Sequence, residues 1–328
     1  MSILVTGATG FLGKRIAEKL RLQGEDVLAT GRNLEKGANL TNNGIRFQVA
    51  ELTHKDEVEN LFMDCEAVIH SAALSSPWGK YEWFYQANVV ATKNLLNAAK
   101  ERAIQRFVHI STPALYFYQG SRLNVKENAE LFRPLNHYIA TKRLAEEKID
   151  EAFTKGLPVV TLRPRAIYGP GDTSILPRLI ERLESGYLPI IGDGQNLIDL
   201  SYVDNVVDAA LLALRSDSHV LGKKYNITNG EAVHLWDEIV KIADFLNLKS
   251  PSRKLSKTAA LALAYCMEKI YARLPKYPEP PLTRYTVGLM AHSMTLDISA
   301  AQQDLNYKPE VSTQEGLELF LDWWQTRA

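Results

Sequence analysis

A chain of 328 residues is long enough for one large domain or two moderate ones, each with its own core. Apolar residues make up 46% of it and charged residues 23%, which excludes a disordered or fibrous chain. Lys plus Arg balance Asp plus Glu at 38 each, so no global field favours nucleic acid or an anionic membrane.

An apolar, strand-like run begins at Ile3 and leaves no room for a signal peptide. "SILVTGATGFLGKRIAEKLRLQG" reads as a short buried strand, a glycine turn and an amphipathic helix that stops at Gly24. Further strands are predicted in "DVLATGR", "IRFQVAEL", "CEAVIHSAA", "RFVHIST" and "LPVVTLRP", with helical patterns between most of them. This alternation predicts an α/β fold, a doubly wound parallel sheet with right-handed crossovers, followed by a smaller, mostly helical C-terminal substrate region. Residues 1–165 are expected to form the dinucleotide-binding unit and 166–328 the substrate region. Within the latter, about 200–230 ("YVDNVVDAALLAL" and "KKYNIT") is expected to return to the main sheet. Helices are expected at 204–215, 234–247 and 255–274. The longest apolar run, Ala259 to Met267, is too short to span a bilayer. Cys65 and Cys266 have no histidine or second cysteine at metal-ligand spacing, which implies no metal and reduced thiols of a cytoplasmic protein.

The turn "TGATGFLG" carries Gly7, Gly10 and Gly13 between a strand and a helix. The first glycine suits a tight reversal, the second a close approach of backbone to a pyrophosphate, and the third close packing of helix on strand. The helix N-terminus adds N–H donors and partial positive charge. Where a carboxylate would meet the adenosine ribose, at the end of the second strand, this chain has Gly31 and then Arg32. A guanidinium without the acid favours a 2′-phosphate, so NADP(H) is the expected cofactor and NAD(H) the alternative. Glu51 is read either as facing the adenine edge or as a surface carboxylate.

"HYIATK" puts Tyr138 and Lys142 on one helix face. A free phenol titrates near pH 10, and an ammonium within about 4 to 6 Å would lower that value and make it a workable acid or base. Taken in order, "TGATGFLG", "HSAA", "HISTPALY", "HYIATK" and "LRPRAIYGPGD" resemble the extended short-chain dehydrogenase/reductase family over about residues 1–230. "PPLTRYTVGLM", "LDISAAQQDLNYKP" and "STQEGLELFLDWW" are similar to its 3β-hydroxysteroid dehydrogenase branch, which includes bacterial 2-alkyl-3-oxoalkanoate reductases. The resemblance implies a catalytic set of Tyr138, Lys142 and Thr112, with Ser111 as the competing hydroxyl. It implies cofactor contacts at Gly7, Thr9, Gly10, Phe11, Leu12, Gly13, Arg32, Glu51, Leu52, Ala72, Lys142, Pro164 and Ile167. It also implies a homodimer. The chain departs from the family in "NVVATKNLL", which lacks a glycine before the threonine, in Glu51 where aspartate is usual, and in the loop "FYQGS".

Other polar residues carry alternative readings. Asn88 is either a helix cap or a neighbour of the site, and Asp204 is read first as a helix cap. His70 and His109 read as core histidines, and His137 as an edge of the pocket. Residues 253–276 carry apolar residues at Leu255, Ala259, Leu263, Ile270 and Leu274. Lys254, Lys257, Lys269, Arg273 and Lys276 flank them, against Glu268 alone. Such a helix is a lid over a greasy pocket, a surface resting on a membrane, or plain core packing. The expected activity is NADP(H)-dependent interconversion of a secondary alcohol and a ketone on a small hydrophobic substrate of 3-oxo acid or 3-hydroxysteroid type. One alternative is a nucleotide-sugar epimerase or dehydratase, for whose diphosphate Arg178 and Arg182 would serve. Another is a non-catalytic NADP(H)-binding redox sensor.

Overall fold

The computed structural model describes residues 2–327. Seven strands build one parallel sheet: β1 (Ser2–Thr6), β2 (Val27–Gly31), β3 (Arg46–Val49), β4 (Cys65–His70), β5 (Arg106–Ile110), β6 (Val159–Pro164) and β7 (Lys224–Ile227). Their spatial order is β7-β6-β5-β4-β1-β2-β3, so the winding reverses between β1 and β4. A crevice opens at such a reversal, outside the carboxyl ends of the strands. Here it is bounded by Thr6 and His70, which are register partners.

The strands read as continuous apolar runs because both faces are covered. Successive side chains go to opposite faces. Ile3, Val5, Ile69, Val108, Ile110, Val160 and Leu162 pack with α1 (Phe11–Leu22) on one side. Leu4, Val68, Phe107 and Val159 pack on the other side with Leu95 and Leu96 of α2 (Ala91–Glu101) and Ile149 of α3 (His137–Thr154). A further helix, α4 (Val203–Arg215), lies beside α1. Each fully buried Leu or Ile in these layers contributes about 1.5–3 kcal/mol.

The C-terminal part holds helices Leu235–Phe245, α5 (Lys257–Tyr271), α6 (Arg284–Ala291) and Thr313–Gln325. It also contributes to a four-stranded mixed sheet in the order Ala232–His234, Leu197–Asp199, Met294–Leu296, Arg122–Val125. That sheet was not expected, because its strands are three or four residues long and are drawn from distant segments. No helix among the described residues is long and apolar enough to cross a membrane.

The stripe on α5 faces outward. Ala260 and Ala264 are its fully buried residues, whereas Leu263, Ile270 and Leu274 are 45%, 57% and 41% exposed. Core packing is therefore not the role of Leu263, Ile270 and Leu274, whereas Leu255 and Leu261 do pack on the cluster that holds Ala260 and Ala264. The small alanines let α5 lie close against its support, and Leu263 and Ile270 are left on the far face.

Candidate active site

Thr112 follows β5 and caps the short turn Pro113–Tyr116, its hydroxyl accepting from the Ala114 N–H at 3.1 Å. Ser111 points elsewhere and donates to Glu146 at 2.5 Å, which leaves Thr112 as the hydroxyl facing the cleft. Asn136 caps α3, accepting from the Ile139 N–H at 2.9 Å, and so sets Tyr138 in the first turn. Tyr138 packs against the buried cluster of Ala114, Leu115, Phe117 and Ile139, as do Leu131, Leu135, Tyr285 and Leu289, and Phe84 is 6.4 Å away between ring centres. Burial among these groups raises the phenol's pKa, while hydrogen bonding with Thr112 and Ser75 works against the rise. Ser75 was missed in the sequence, where it is one serine of "ALSSP" with no periodic signal.

Lys142 departs from expectation. Its ammonium donates to the Ile110 carbonyl at 2.8 Å and lies 3.5 Å from His109 Nε2. Burial pushes its pKa down to about 8, although attraction to Glu146 opposes this. The expected lowering of the Tyr138 pKa by Lys142 is not met, because the ammonium turns to a carbonyl and an imidazole while the phenol sits in an apolar cluster. Beneath the lysine, His70 bonds Thr6 at 2.8 Å and Thr92 at 3.0 Å, a satisfied core histidine. His109 Nδ1 has no partner among the described residues.

Asn88 is not a cap. It lies in a π-helical turn, Tyr85–Val90, accepts from Leu74 N–H at 2.7 Å, and donates to Leu74 O at 3.1 Å and Thr141 at 3.2 Å. It thereby ties the loop carrying Ser75 to the helix carrying Tyr138. Such π-turns are frequent at functional sites. His137 Nδ1 meets Gly79 O at 3.0 Å, at the rim.

Around the glycine turn the fit to a dinucleotide is a matter of missing side chains. Gly7 has φ +70°, and a Cβ there would lie 2.8 Å from Ala72 Cα. A Cβ on Gly13 would lie 2.4 Å from Gly7 O, so helix and strand touch only because position 13 is bare. Gly10 is exposed, and the first turn of α1 has no side-chain cap. The N–H groups of Phe11, Leu12 and Gly13 precede the first in-register bond, Lys14 N–H to Gly10 O at 3.2 Å. Uncapped donors beside bare glycines suit a pyrophosphate. Across the turn, a Cβ on Gly31 would come 2.5 Å from Thr9 Oγ1, 2.8 Å from its Cγ2 and 3.1 Å from its Cβ. Arg32 is 77% exposed and stands 3.6 Å from Glu51. Leu52 is buried beneath Glu51. Pro164 ends β6, and Ile167 is half-buried on a two-residue strand beyond it.

Residues 3–228 match the NAD dependent epimerase/dehydratase family. The chain belongs to that family. It is 33% identical to a 2-alkyl-3-oxoalkanoate reductase of Stenotrophomonas maltophilia, over 97% of each chain. It is 32% identical to a 3beta-hydroxysteroid-dehydrogenase/decarboxylase isoform 1 of Arabidopsis thaliana, over 97% of this chain and 78% of that protein. Among solved structures, UDP-glucuronic acid 4-epimerase from Bacillus cereus in complex with NAD superposes with a TM-score of 0.78 at 26% identity, over 100% of this chain and 99% of that one. The family binds NAD(P), and the glycine turn is the candidate place for that dinucleotide in this chain.

Two residues fill roles different from those read in the sequence. Asp204 is no cap, since its carboxylate takes Arg15 of α1 through two bonds of 3.1 and 2.6 Å and clamps α1 to α4. Arg178 and Arg182, the cations available to a diphosphate, reach Glu279 at 3.3 Å and Pro281 O at 3.2 Å. Each thus makes one exposed contact with the loop before α6.

Proposed function

We propose that this protein is an NADP(H)-dependent oxidoreductase that reduces the ketone of a hydrophobic, lipid-like substrate to a secondary alcohol. The observation that carries the reading is the Tyr138 phenol, packed against an apolar cluster and close enough to the Thr112 and Ser75 hydroxyls for both to oppose the rise in its pKa. When bound, the dinucleotide supplies the hydride. Thr112 and Ser75 orient the substrate oxygen, and Tyr138, kept protonated at neutral pH by its raised pKa, donates the proton to it. Lys142, protonated below about pH 8, holds positive charge beneath the site. The kinship with a ketoreductase and a steroid dehydrogenase supports a hydrophobic substrate. The engagement of Arg178 and Arg182 argues against a nucleotide sugar. In the same reading residues 1–165 hold the cofactor, 166–328 shape the substrate side, and the protein is a cytoplasmic homodimer. NADPH oxidation is expected with long-chain 3-oxo acids or 3-oxosteroids and not with nucleotide sugars. Turnover of nucleotide sugars alone would replace the proposal with the epimerase reading.

The choice of NADP(H) rests on Arg32, exposed at the end of β2 and held only loosely by Glu51. Loss of a guanidinium–phosphate contact corresponds to about a 10- to 100-fold change in affinity. Arg32→Ala is expected to weaken NADPH binding by that amount and to leave NADH binding nearly unchanged, as read by cofactor fluorescence titration. Equal losses for both would remove the basis for NADP(H).

The outward stripe of α5 supports contact with an anionic lipid surface. Exposed Lys254, Lys269, Arg273 and Lys276 flank Leu263, Ile270 and Leu274. Just beyond the helix, Tyr277 stacks on Trp78 at 5.0 Å and meets the half-exposed Trp83 edge-on at 6.2 Å. Apolar side chains enter the acyl boundary while the cations meet headgroups, each worth about 1 kcal/mol. The protein is expected to float with phosphatidylcholine vesicles containing phosphatidylglycerol and much less with phosphatidylcholine alone. Replacing Leu263, Ile270 and Leu274 by serine should abolish flotation and spare NADPH binding. Wild-type protein that stays in the aqueous fraction with both vesicle types would end this proposal.

A further inference from the structure

Arg165 is the second arginine of "LRPRAIYGP", one residue beyond β6 at the carboxyl end of the sheet. It is only 8% exposed. Arg163, two residues earlier, is fully engaged with Glu146. Arg165 is not. Its only side-chain hydrogen bond among the described residues is to Met294 Sδ at 3.2 Å, a weak acceptor, and its Nε has no partner. Asp199 attracts it from a distance without a hydrogen bond, since Asp199 Oδ2 is taken by the Leu296 N–H at 2.6 Å. Burial pushes the Asp199 pKa up to about 6, so at neutral pH it remains mostly ionised, and what Arg165 lacks is a strong hydrogen-bond acceptor rather than a counter-charge. A buried guanidinium with open donors is costly unless something completes it. Arg165 lines a small cavity with Phe117, Leu289, His292 and Met294. Tyr285 on α6 is within electrostatic reach of both Arg165 and Tyr138, and it packs on the same apolar cluster as Phe117, Leu289 and Tyr138.

We infer that Arg165 is the anchor for a substrate carboxylate, so that the substrate class is a free 3-oxo acid rather than a neutral ketone or an ester. This rests on the reductase reading and deepens it. In a 3-oxo acid a single carbon separates the carboxylate from the reacting carbonyl, so an anion held on Arg165 would keep the ketone close by, and Phe117 and Leu289 join the cavity of Arg165 to the apolar cluster of Tyr138. The planar fork of Arg165 takes both carboxylate oxygens, which a lysine at that position would not match. The alkyl chain is then left to the apolar wall of Phe117 and Leu289.

Two measurements separate this inference from the reductase reading. First, calorimetric binding of dodecanoate and dodecan-1-ol is compared for wild type, Arg165→Met and Arg165→Lys. Wild type should prefer the carboxylate about 100-fold, a size expected for a buried charge-assisted pair, Arg165→Met should lose that preference, and Arg165→Lys should keep part of it. Second, kcat/KM is measured for 3-oxododecanoate and its methyl ester. Arg165→Met should cost the acid about 100-fold and the ester less than about threefold, with NADPH binding intact as the check on folding. Equal affinity of wild type for acid and alcohol overturns the inference, as does an equal loss on acid and ester in Arg165→Met. If carboxylate selectivity is present and no ketone is turned over, the anchor stands and the reductase reading fails.

Discussion

Tyr138→Phe is expected to lower kcat for ketone reduction about 10²- to 10⁴-fold while NADPH affinity changes little. A positioned general acid contributes that range, and the phenol has no role in holding the glycine turn. The substitution removes one oxygen and keeps the ring, so the packing against the cluster of Ala114, Leu115, Phe117 and Ile139 survives. Stopped-flow NADPH oxidation with a long-chain 3-oxo acid measures the first quantity and fluorescence titration the second. Unchanged turnover would remove Tyr138 as the acid. Thr112→Ala should show a smaller loss, because Ser75 remains beside the phenol.

Glu146→Ala is expected to cost about 3–5 kcal/mol of stability, the cost of breaking a buried ion pair. Glu146 is 4% and Arg163 2% exposed. Two bonds of 2.9 and 2.5 Å join them, Ser111 adds a third to the same carboxylate, and Arg163 goes on to the Tyr116 hydroxyl and to Glu127 O at 3.1 Å. Tyr116 in turn donates to Asn226 at 2.9 Å. Burial, the largest single influence, would raise the Glu146 pKa, yet Arg163 with Ser111 and Lys224 together outweigh it and the net shift is downward. Removing the carboxylate strands a buried guanidinium. The guanidinium chloride midpoint of unfolding reads the loss, and the double change Glu146→Leu with Arg163→Met should recover much of it. An unaltered midpoint in Glu146→Ala would refute the account. Glu146 lies one helical turn beyond Lys142 and raises its pKa against burial. Glu146→Gln should therefore move the loss of the Lys142 proton below about pH 8, and the alkaline limb of kcat/KM with it.

The sheet was legible because each strand, buried on both faces, is a short apolar run, and because "TGATGFLG" joins the first run to a helix at a fixed spacing. The Tyr138–Lys142 face followed from helical geometry. What Lys142 touches did not follow, since the Ile110 carbonyl and His109 reach it only through tertiary folding. The four-stranded sheet was illegible for a related reason. Met294–Leu296 pairs with Arg122–Val125 across most of the C-terminal half, and neither segment has enough residues to display alternation. On α5 the periodicity was visible but not its direction, because a stripe of bulky residues and a stripe of alanines are both candidates for the inner face. Asp204 stood where a cap belongs, and its tie to Arg15 depends on how α1 and α4 lie together. Arg165 was legible as a charge at the end of a strand, but its lack of a strong partner is a property of the surroundings alone.

The contact between Gly31 and Thr9 limits how this chain's coenzyme preference can evolve or be redesigned. An aspartate at 31, the simplest route to grip a bare ribose, would drive its first carbon into the threonine. Turning the threonine about χ1 only exchanges one branch for the other, and its own Cβ stays tight against the newcomer. A second change, to a smaller residue at 9, has to come first or together with it. If the proposed preference for NADP(H) holds, a shift to the unphosphorylated coenzyme through position 31 is therefore a paired step, and a library that varies position 31 alone will miss it.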